Sequence, residues 1–251
     1  MLIGARLDCV AGSGELHEKM SVLKGLGYDF LELPLTREQI ANLDSGSASE
    51  YVKQIERAGL PILSTSMGHF GGFAAASPEE RAGIIDHIRA TIDFTKAIGA
   101  DTILLATTEN DDHVDRYASV YRQELLPVAE EAAKAGVTLA LEHVGWYKPY
   151  LLARLVRAIN HPAVGIYFDM GNCLYVGENP LEQARICAPL TAQLHVKGGP
   201  VLPLGAMPLV AVRDILEAAG FQGRACLEIP AVEGHRQLAE ARGLLKMAGY
   251  C

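Results

Sequence analysis

The stretch VTLALEHVG, residues 137–145, is a short apolar run that ends in a carboxylate at Glu142. Three later apolar runs end likewise in a polar residue: VGIYFDMGN (164–172, Asp169), TAQLHVKGG (191–199, His195) and RACLEIP (224–230, Glu228). These polar residues follow one another at intervals of about 26 to 33 positions, the length that one strand, one helix and two short loops require. Each therefore occupies the same point of a successive strand–helix unit.

Runs rich in Leu, Ile and Val alternate with longer stretches of helical periodicity along the chain, as in parallel strands covered by helices. Eight strands are predicted, at residues 2–8, 28–33, 60–66, 101–106, 137–143, 164–169, 191–197 and 224–229. The helical stretches are 15–26, 36–58, 78–99, 113–135, 149–160, 180–188, 208–220 and 233–248. The 251 residues match the roughly 250 of an eight-unit barrel. The sequence thus predicts one α/β domain over 1–251, a single (β/α)8 TIM barrel.

The composition is that of a protein able to bury a sizeable core, with 49% hydrophobic and 21% charged residues. The formal net charge is −8, which offers no bulk attraction for phosphate backbones, because nonspecific nucleic-acid binding depends on clustered Lys and Arg. We therefore expect a small-molecule substrate and no nucleic-acid partner. The five cysteines are odd in number and include no C-x-x-C pair, so they are interpreted as reduced thiols.

The first residues, MLIGARLDC, enter a strand pattern directly, without a basic region followed by an apolar signal core. No stretch of 18 or more apolar residues occurs in the sequence. These features predict a cytoplasmic protein with no membrane partner. Whether the barrel pairs through its helices as a homo-oligomer stays open.

A closed parallel barrel brings the carboxyl ends of its strands together, so the four polar residues are predicted to converge at one mouth, where barrel enzymes carry their active sites. A single acid at a strand end is commonly a helix cap or a loop salt bridge, but four polar residues in consecutive units are poorly explained that way. Three carboxylates and one imidazole form an oxygen-rich donor set that suits one divalent ion such as Mn²⁺, Mg²⁺, Co²⁺ or Zn²⁺. The sequence therefore predicts a metalloenzyme.

The four strand ends read LEHVG, FDMGN, LHVKG and CLEIP. This combination resembles the xylose-isomerase-like barrels, a family that includes sugar-phosphate isomerases and epimerases, ketose 3-epimerases, hydroxypyruvate isomerase and inosose dehydratase. The resemblance spans most of the chain, and its motifs are a Glu ending strand five, D-x-G-[HN] after strand six, H-[VI]-K after strand seven and a Glu ending strand eight. It implies that Glu142, Asp169, His195 and Glu228 ligate the metal and that Glu142 and Glu228 are the catalytic acid–base pair.

The expected chemistry is proton abstraction next to a carbonyl through a metal-stabilised enediolate, giving an isomerase or epimerase of a sugar or sugar phosphate. Two carboxylates on opposite faces of the substrate carbon allow one to take the proton and the other to return it, which is epimerisation. Return of the proton to the neighbouring carbon interconverts aldose and ketose. If a β-hydroxyl group leaves instead, the enzyme is a dehydratase of a cyclic keto-polyol. The same four residues serve all three reactions.

A second ring of polar residues near the strand ends is predicted to bind the carbohydrate substrate: Arg6, Glu32, His69, Glu109, Trp146, Asn172 and Lys197. For Glu32 and Glu109 the alternative is a cap on the following helix, and for His69 it is a loop histidine. His143, beside Glu142, is predicted to point away from the mouth, because side chains alternate along a strand. The other histidines are predicted to lie at the surface: His17, His87, His113, His161 and His235.

The segment Met67–Ala76 is expected to act as a lid, in which Gly71 and Gly72 give hinge freedom and Phe70 and Phe73 provide apolar cover. A flexible surface connection is the alternative for this segment.

Two residues depart from the family pattern, and they affect which substrate we expect more than they affect the predicted metal site. Asn172 stands where many relatives have a histidine, and it can hydrogen-bond a substrate oxygen but cannot act as an acid. Gly198 stands where many have an acid. The related zinc endonucleases for abasic DNA use a three-metal cluster with several additional histidines, of which this chain supplies few. A carbohydrate-binding barrel without catalysis is the alternative from another functional class.

Overall fold

Eight parallel strands form a closed barrel in the computed structural model, which describes residues 1–68 and 70–250. Each strand pairs with the next along the chain, and the last pairs with the first. The strands are β1 (Leu2–Arg6), β2 (Phe30–Leu35), β3 (Ile62–Met67), β4 (Thr102–Thr107), β5 (Thr138–His143), β6 (Val164–Asp169), β7 (Thr191–Val196) and β8 (Arg224–Leu227). The predicted (β/α)8 barrel is confirmed.

The helices of the described residues surround this barrel. They are α1 (Leu16–Gly25), α2 (Arg37–Ala41), α3 (Ser45–Ala58), α4 (Pro78–Ala97), α5 (Val114–Ala135), α6 (Pro149–Ile159), α7 (Met170–Tyr175), α8 (Pro180–Cys187), α9 (Leu209–Ala218) and α10 (Arg236–Met247). In the part of the chain that the structure describes, no helix combines the length and the apolar character needed to cross a membrane.

Two helical predictions need correction. The stretch 36–58 forms two helices because it contains two N-caps: the Thr36 hydroxyl accepts the Gln39 N–H at 3.1 Å, and an Asp44 carboxylate oxygen accepts the Ser47 N–H at 2.7 Å. Helix α7 was not predicted, because six residues directly after a strand are too few to show helical periodicity.

The barrel interior is packed so tightly that Gly4 on β1 has no room for a side chain. The ring of Phe30 is fully buried, and a Cβ atom at Gly4 would lie 2.4 Å from it. Such a separation is far below van der Waals contact, so a larger residue at this position would force the ring out of the interior.

Below the mouth, the interior also contains a chain of polar side chains. Gln193 Nε2 donates to the Tyr167 hydroxyl at 2.5 Å, and Gln193 Oε1 accepts from Arg224 Nε at 3.2 Å. Arg224 forms an ion pair with Asp101, which immediately precedes β4 at the N-terminal end of the barrel. Buried polar groups of this kind are tolerated when each finds a partner.

The outer core lies between the barrel and the helices. Cys9, Cys173, Cys187 and Cys226 are buried free thiols, as expected. His17 was predicted at the surface, which is wrong: it is buried, and its Nδ1 lies 2.8 Å from Gln54 Oε1. The reason is that α1 packs on α3, which carries Gln54.

The segment Met67–Ala76 begins with the last residue of β3, and its two phenylalanine rings face the core. Phe70 and Phe73 are fully buried, stack at a centroid distance of 5.0 Å and pack against Tyr121 of α5. The Gly72 N–H donates to the Thr108 carbonyl oxygen at 2.6 Å. In this structure the two phenylalanines pack in the outer core, and closure of the segment as a lid stays a prediction.

Candidate functional site

Four side chains from consecutive strands meet at the C-terminal mouth of the barrel. Glu142 and Asp169 lie at the ends of β5 and β6, His195 lies near the end of β7, and Glu228 directly follows β8. One ligand atom from each of these residues lies within 4.8 Å of those of the other three. His195 Nδ1 is 2.6 Å from Glu142 Oε1, 3.3 Å from Glu228 Oε2 and 3.8 Å from Asp169 Oδ2. The predicted convergence of these four residues is observed.

Asp169 has two roles because its two carboxylate oxygens face different groups. Oδ1 accepts the N–H groups of Gly171 and Asn172 at 2.7 and 2.9 Å, which caps helix α7. Oδ2 is buried at the four-residue cluster, and Lys197 Nζ forms an ion pair with it at 2.8 Å. The ammonium group compensates the charge of this carboxylate, which would otherwise be costly to bury.

A glycine in this turn allows the strand ends to approach each other. A Cβ atom at Gly171 would lie 2.5 Å from both the Gly198 carbonyl oxygen and Lys197 Cγ. The glycine of the D-x-G-N turn therefore lets the segment after β7 pack against the segment after β6, which brings Lys197 to Asp169.

Two cations offset the negative charge of the mouth. Lys197 Nζ lies 2.9 Å from Glu228 Oε2. One Arg6 Nη atom lies 3.4 Å from Glu32 Oε1 and 3.8 Å from Glu228 Oε1, and Arg6 also pairs with Asp8 at 3.0 Å. Both cations were predicted to bind substrate, and the structure places them among the carboxylates of the mouth.

The two glutamates of the cluster differ in acidity. Burial raises the pKa of Glu142 to about 7, and the nearby carboxylates of Asp169 and Glu228 add to this effect. For Glu228, burial is outweighed by the positive charges of His195, Lys197 and Arg6, which lower its pKa to about 2. Without a bound ion, the two carboxyl groups therefore differ in acidity, as the members of acid–base pairs commonly do.

The donor set and its spacing fit one divalent cation. Ligand atoms on opposite sides of an ion are about 4 to 5 Å apart when bonds are about 2.0–2.6 Å, and the four atoms here lie within 4.8 Å of one another. Asp169 Oδ2 is a buried carboxylate oxygen at the cluster, and the Lys197 ammonium group at 2.8 Å shows that it already faces a cation. Three carboxylates with one imidazole suit Mn²⁺, Mg²⁺, Co²⁺ or Zn²⁺.

A cavity of about 510 Å³ opens beside Glu142 on the β1–β4 side of the mouth. This volume is within the range of about 300 to 1,000 Å³ that is typical of small-molecule sites. Its wall comes mainly from strand ends and loops of the first half of the barrel, including Arg6, Pro34, Arg37, Ser66, Leu104 and Ala106. The donor cluster and the cavity are therefore adjacent.

The remaining predicted substrate residues lie in different surroundings. The Asn172 side-chain N–H donates to the His143 carbonyl oxygen at 2.9 Å. Glu109 is buried, and its Oε1 accepts from the Tyr121 hydroxyl at 2.6 Å and from the Ala74 N–H at 3.0 Å. Trp146 is 85% exposed. His69 lies outside the described residues.

His143 and Glu142 are neighbours on β5 with different environments. The His143 ring is fully buried, with its centroid 6.2 Å from that of Phe168 and its Nε2 4.0 Å from Cys173 Sγ. Phe168 and Cys173 belong to the outer core. Strand alternation thus separates His143 from the mouth.

Sequence reasoning missed two interior residues directly below the cluster. Tyr167 donates a hydrogen bond to Glu32 Oε2, and Gln193 donates to the Tyr167 hydroxyl. Each stands two positions before a residue of the cluster, Asp169 or His195, and residues i and i+2 of a strand share a face. The alternation of side chains along β6 and β7 could therefore have identified both.

Solved structures with the same fold cover nearly the whole chain. They include the 3-keto-D-glucoside 4-epimerase of E. coli, with a TM-score of 0.78 and 18% identity over 100% of both chains. The IolI protein with a bound zinc atom has a TM-score of 0.77 and 18% identity, over 99% of this chain and 96% of that one. A xylose isomerase-like barrel from Mycobacterium smegmatis in complex with magnesium has a TM-score of 0.75 and 18% identity, over 98% and 96%. At such identities the likeness shows the fold alone.

Sequence comparisons give the family. A search of curated proteins found no match. The model of the xylose isomerase-like TIM barrel matches residues 20–247, which is most of the 251 residues. The chain belongs to the xylose isomerase-like TIM barrel family.

Proposed function

We propose that the protein is a divalent-metal-dependent isomerase or epimerase that moves a proton at a carbon next to a carbonyl group of a carbohydrate. The observation that carries this proposal is the convergence of ligand atoms from Glu142, Asp169, His195 and Glu228 within 4.8 Å of one another at the barrel mouth. The neighbouring folds support it, since they include a 3-keto-D-glucoside epimerase and barrels with zinc and magnesium.

The four residues of the cluster would hold the ion. When bound, a divalent cation supplies Lewis-acid stabilisation of the negative charge that develops on the substrate oxygens. Asp169 contributes Oδ2 while its Oδ1 keeps helix α7 capped, so metal binding and the local fold share one side chain.

Glu228 and Glu142 are proposed to move the proton. The Glu228 side chain is 29% exposed at the mouth and its lowered pKa keeps it ionised, so its carboxylate accepts the proton from the substrate carbon. Glu142, the second glutamate of the cluster, would return a proton to the opposite face of that carbon or to its neighbour. In the reverse direction the two carboxyl groups exchange roles.

The surrounding residues would orient the substrate and exclude water. The cavity beside Glu142 has room for a small carbohydrate, and Arg37 and Ser66 supply polar groups on its wall. Lys197 and Arg6 hold the Glu228 carboxylate from two sides, which fixes the direction from which it meets the substrate.

Deuterium exchange from D₂O tests the proposal even when the product is unidentified. The protein is stripped with a chelator, reloaded with Mn²⁺, Co²⁺, Mg²⁺ or Zn²⁺, and incubated with ketoses, ketose phosphates, keto-glucosides and cyclic keto-polyols. We expect metal-dependent deuterium incorporation next to the carbonyl group for one substrate class, detected by NMR. The exposed Glu130→Gln substitution on α5 is the matched control for Glu142→Gln and Glu228→Gln.

Each result of this screen has a definite meaning. Exchange with formation of an epimer or of the aldose–ketose partner supports the proposal. Exchange accompanied by loss of water and ultraviolet absorption of a conjugated enone identifies a dehydratase instead. A protein that binds the ion and the carbohydrate but exchanges no proton is a binding barrel, and the proposed catalysis is then wrong.

A further inference from the structure

A fifth ionisable side chain lies directly beneath the four-residue cluster. Glu32 of β2 is fully buried, and both of its carboxylate oxygens lie 3.3 Å from His195 Nε2. This is the ring nitrogen opposite to Nδ1, which faces Glu142, Asp169 and Glu228. The imidazole ring therefore separates Glu32 from the group of ligand atoms, and Glu32 is not in reach of a carbohydrate that enters from the mouth.

Glu32 is itself held from three sides. The Tyr167 hydroxyl donates to Oε2, and Ser64 Oγ donates to the same oxygen at 3.4 Å. An Arg6 Nη atom lies 3.4 Å from Oε1. The carboxylate consequently has little freedom to rotate, and its position relative to His195 is fixed by the surrounding barrel.

This arrangement continues into the polar chain of the barrel interior. Tyr167 accepts from Gln193, and Gln193 accepts from Arg224 at the other end of the barrel. Apolar side chains of similar volume would fill the same space without the desolvation cost of buried polar groups. A buried charge with several hydrogen bonds at this position therefore suggests a function beyond packing. The Glu32 carboxylate at the end of this polar chain contacts the His195 ring.

We propose that Glu32 is a positioning residue, which accepts the Nε2 hydrogen of His195 and thereby holds the ring with Nδ1 facing Glu142, Asp169 and Glu228, the residues that would hold the ion with it. The proposal rests on the proposed function, because it concerns the same metal site. A carboxylate that accepts the second N–H of a ligating histidine fixes the tautomer and the orientation of the ring, and losing it typically weakens metal binding about 10- to 100-fold. Tyr167 acts one step further away, by fixing Glu32.

The test compares Co²⁺ binding by variants of Glu32 and Tyr167, using calorimetry and the visible absorption of bound Co²⁺. Glu32→Leu removes the acceptor, so we expect its affinity to fall about 100-fold. Glu32→Gln keeps an oxygen that can accept from Nε2 but loses the charge, and a loss of about 10-fold is expected. Tyr167→Phe leaves the carboxylate in place with one donor fewer, so its loss should be smaller than that of Glu32→Gln.

A matched control distinguishes positioning from a purely structural role. Thr65→Val breaks a buried hydrogen bond of 2.8 Å between Thr65 and Thr95, on the neighbouring strand and away from His195. Thermal unfolding of every metal-free variant reports the loss of stability. If Glu32 is only structural, Glu32→Gln loses stability like Thr65→Val and keeps wild-type Co²⁺ affinity.

A second readout observes the histidine directly. In ¹⁵N-histidine-labelled protein loaded with diamagnetic Zn²⁺, NMR should show His195 with its hydrogen on Nε2, and the resonance should shift in Glu32→Gln. Wild-type Co²⁺ affinity in both Glu32 variants, or a hydrogen on Nδ1, overturns the role of Glu32 alone. Failure of the wild-type protein to bind any divalent ion overturns the proposed function and this inference with it.

Discussion

The two halves of the barrel contribute different parts of the mouth. Strands β5–β7 and the residue after β8 supply Glu142, Asp169, His195 and Glu228, the four residues proposed to hold the ion. Strands β1–β4 supply most of the wall of the adjacent cavity, and Glu32 beneath His195. Groups suited to chemistry are thus concentrated in one half, while the other half provides shape and support.

The difference between the halves extends to how each is held. In the second half, Asp169 and Glu228 are fixed by ion pairs with Lys197. In the first half, the segment after β3 is fixed by the buried rings of Phe70 and Phe73. Substitutions of the four clustered residues should therefore change turnover and metal affinity, whereas substitutions in the segment after β3 should mainly change stability.

The largest effect is expected for the proton-moving glutamates. Glu142→Gln and Glu228→Gln should each lower turnover by about 10²- to 10⁴-fold with a smaller change in KM, because an amide cannot accept the proton. Deuterium exchange measures this loss for each direction of the reaction, with Glu130→Gln as the exposed control. Turnover above about a tenth of the wild-type value in both variants would remove their acid–base role.

The next effect separates metal binding from folding at Asp169. In Asp169→Asn, the side-chain oxygen can still accept from Gly171 and Asn172, so α7 stays capped. The second oxygen becomes a nitrogen that cannot ligate, and we expect Co²⁺ affinity to fall on the order of 100-fold, equivalent to about 2.7 kcal/mol. Calorimetry and urea unfolding measure the two properties, with the exposed Asp86→Asn as control. If Asp169→Asn lost Co²⁺ affinity and free energy of unfolding together, metal binding and helix capping by Asp169 would not be separable.

The second half of the mouth was predictable from the sequence, and the first half was not. Glu142, Asp169, His195 and Glu228 recur with the strand–helix unit, so the barrel topology alone brings them together. The residues of β1–β4 follow no such repetition. Their environment depends on which loop reaches which helix, and this is a property of tertiary packing.

Particular residues show where sequence reasoning ended. A glycine-rich segment with Phe70 and Phe73 has the composition of a lid, but composition does not reveal that both rings enter the outer core beside Tyr121. Glu109 lies two residues beyond β4, whereas Glu142 lies within β5 in register with Ala106. Glu109 accepts hydrogen bonds from Tyr121 and Ala74 rather than joining the cluster. The position of a polar residue after a strand is therefore informative only together with the path of its loop.

A smaller effect, on stability, is expected for His143, which faces the outer core on the side of β5 opposite to Glu142. Burial lowers the pKa of His143 to about 4, whereas the unfolded chain takes up this proton near pH 6.5. The native protein is therefore stabilised in full above pH 6.5 and loses that contribution as the pH falls from 6.5 towards 4. His143→Phe does not titrate, so its stability relative to wild type should rise by about 2 kcal/mol between pH 7 and pH 5.

Urea unfolding at pH 7, 6 and 5 measures this difference. Turnover of His143→Phe at pH 8 should stay within about threefold of the wild-type value, since His143 faces Phe168 and Cys173 rather than the mouth. A loss of turnover as large as that of Glu142→Gln would place His143 in the chemistry and contradict its assignment to the outer core.

The smallest effect tests whether the wall of the first half is only structural. Tyr121→Phe removes the hydroxyl that donates to Glu109 Oε1 at 2.6 Å but keeps the ring that packs against Phe70 and Phe73. The buried Glu109 carboxylate then retains the N–H of Ala74 as a donor, so we expect a loss of about 1 to 2 kcal/mol in the free energy of unfolding. Turnover and Co²⁺ affinity should stay within about twofold, because nothing in the cluster loses a partner.

Tyr117→Phe is the matched comparison, because it breaks a hydrogen bond of 2.8 Å with Tyr147 that involves two neutral hydroxyl groups beside the same rings. Its cost should be about 1 kcal/mol or less, since hydrogen bonds to a charged acceptor are the stronger ones. Urea unfolding and deuterium exchange of both variants separate stability from catalysis. If Tyr121→Phe slows exchange tenfold at unchanged stability, the segment that Glu109 holds takes part in the reaction. Chemistry would then involve both halves of the mouth, and the division between a reactive half and a supporting half would be wrong.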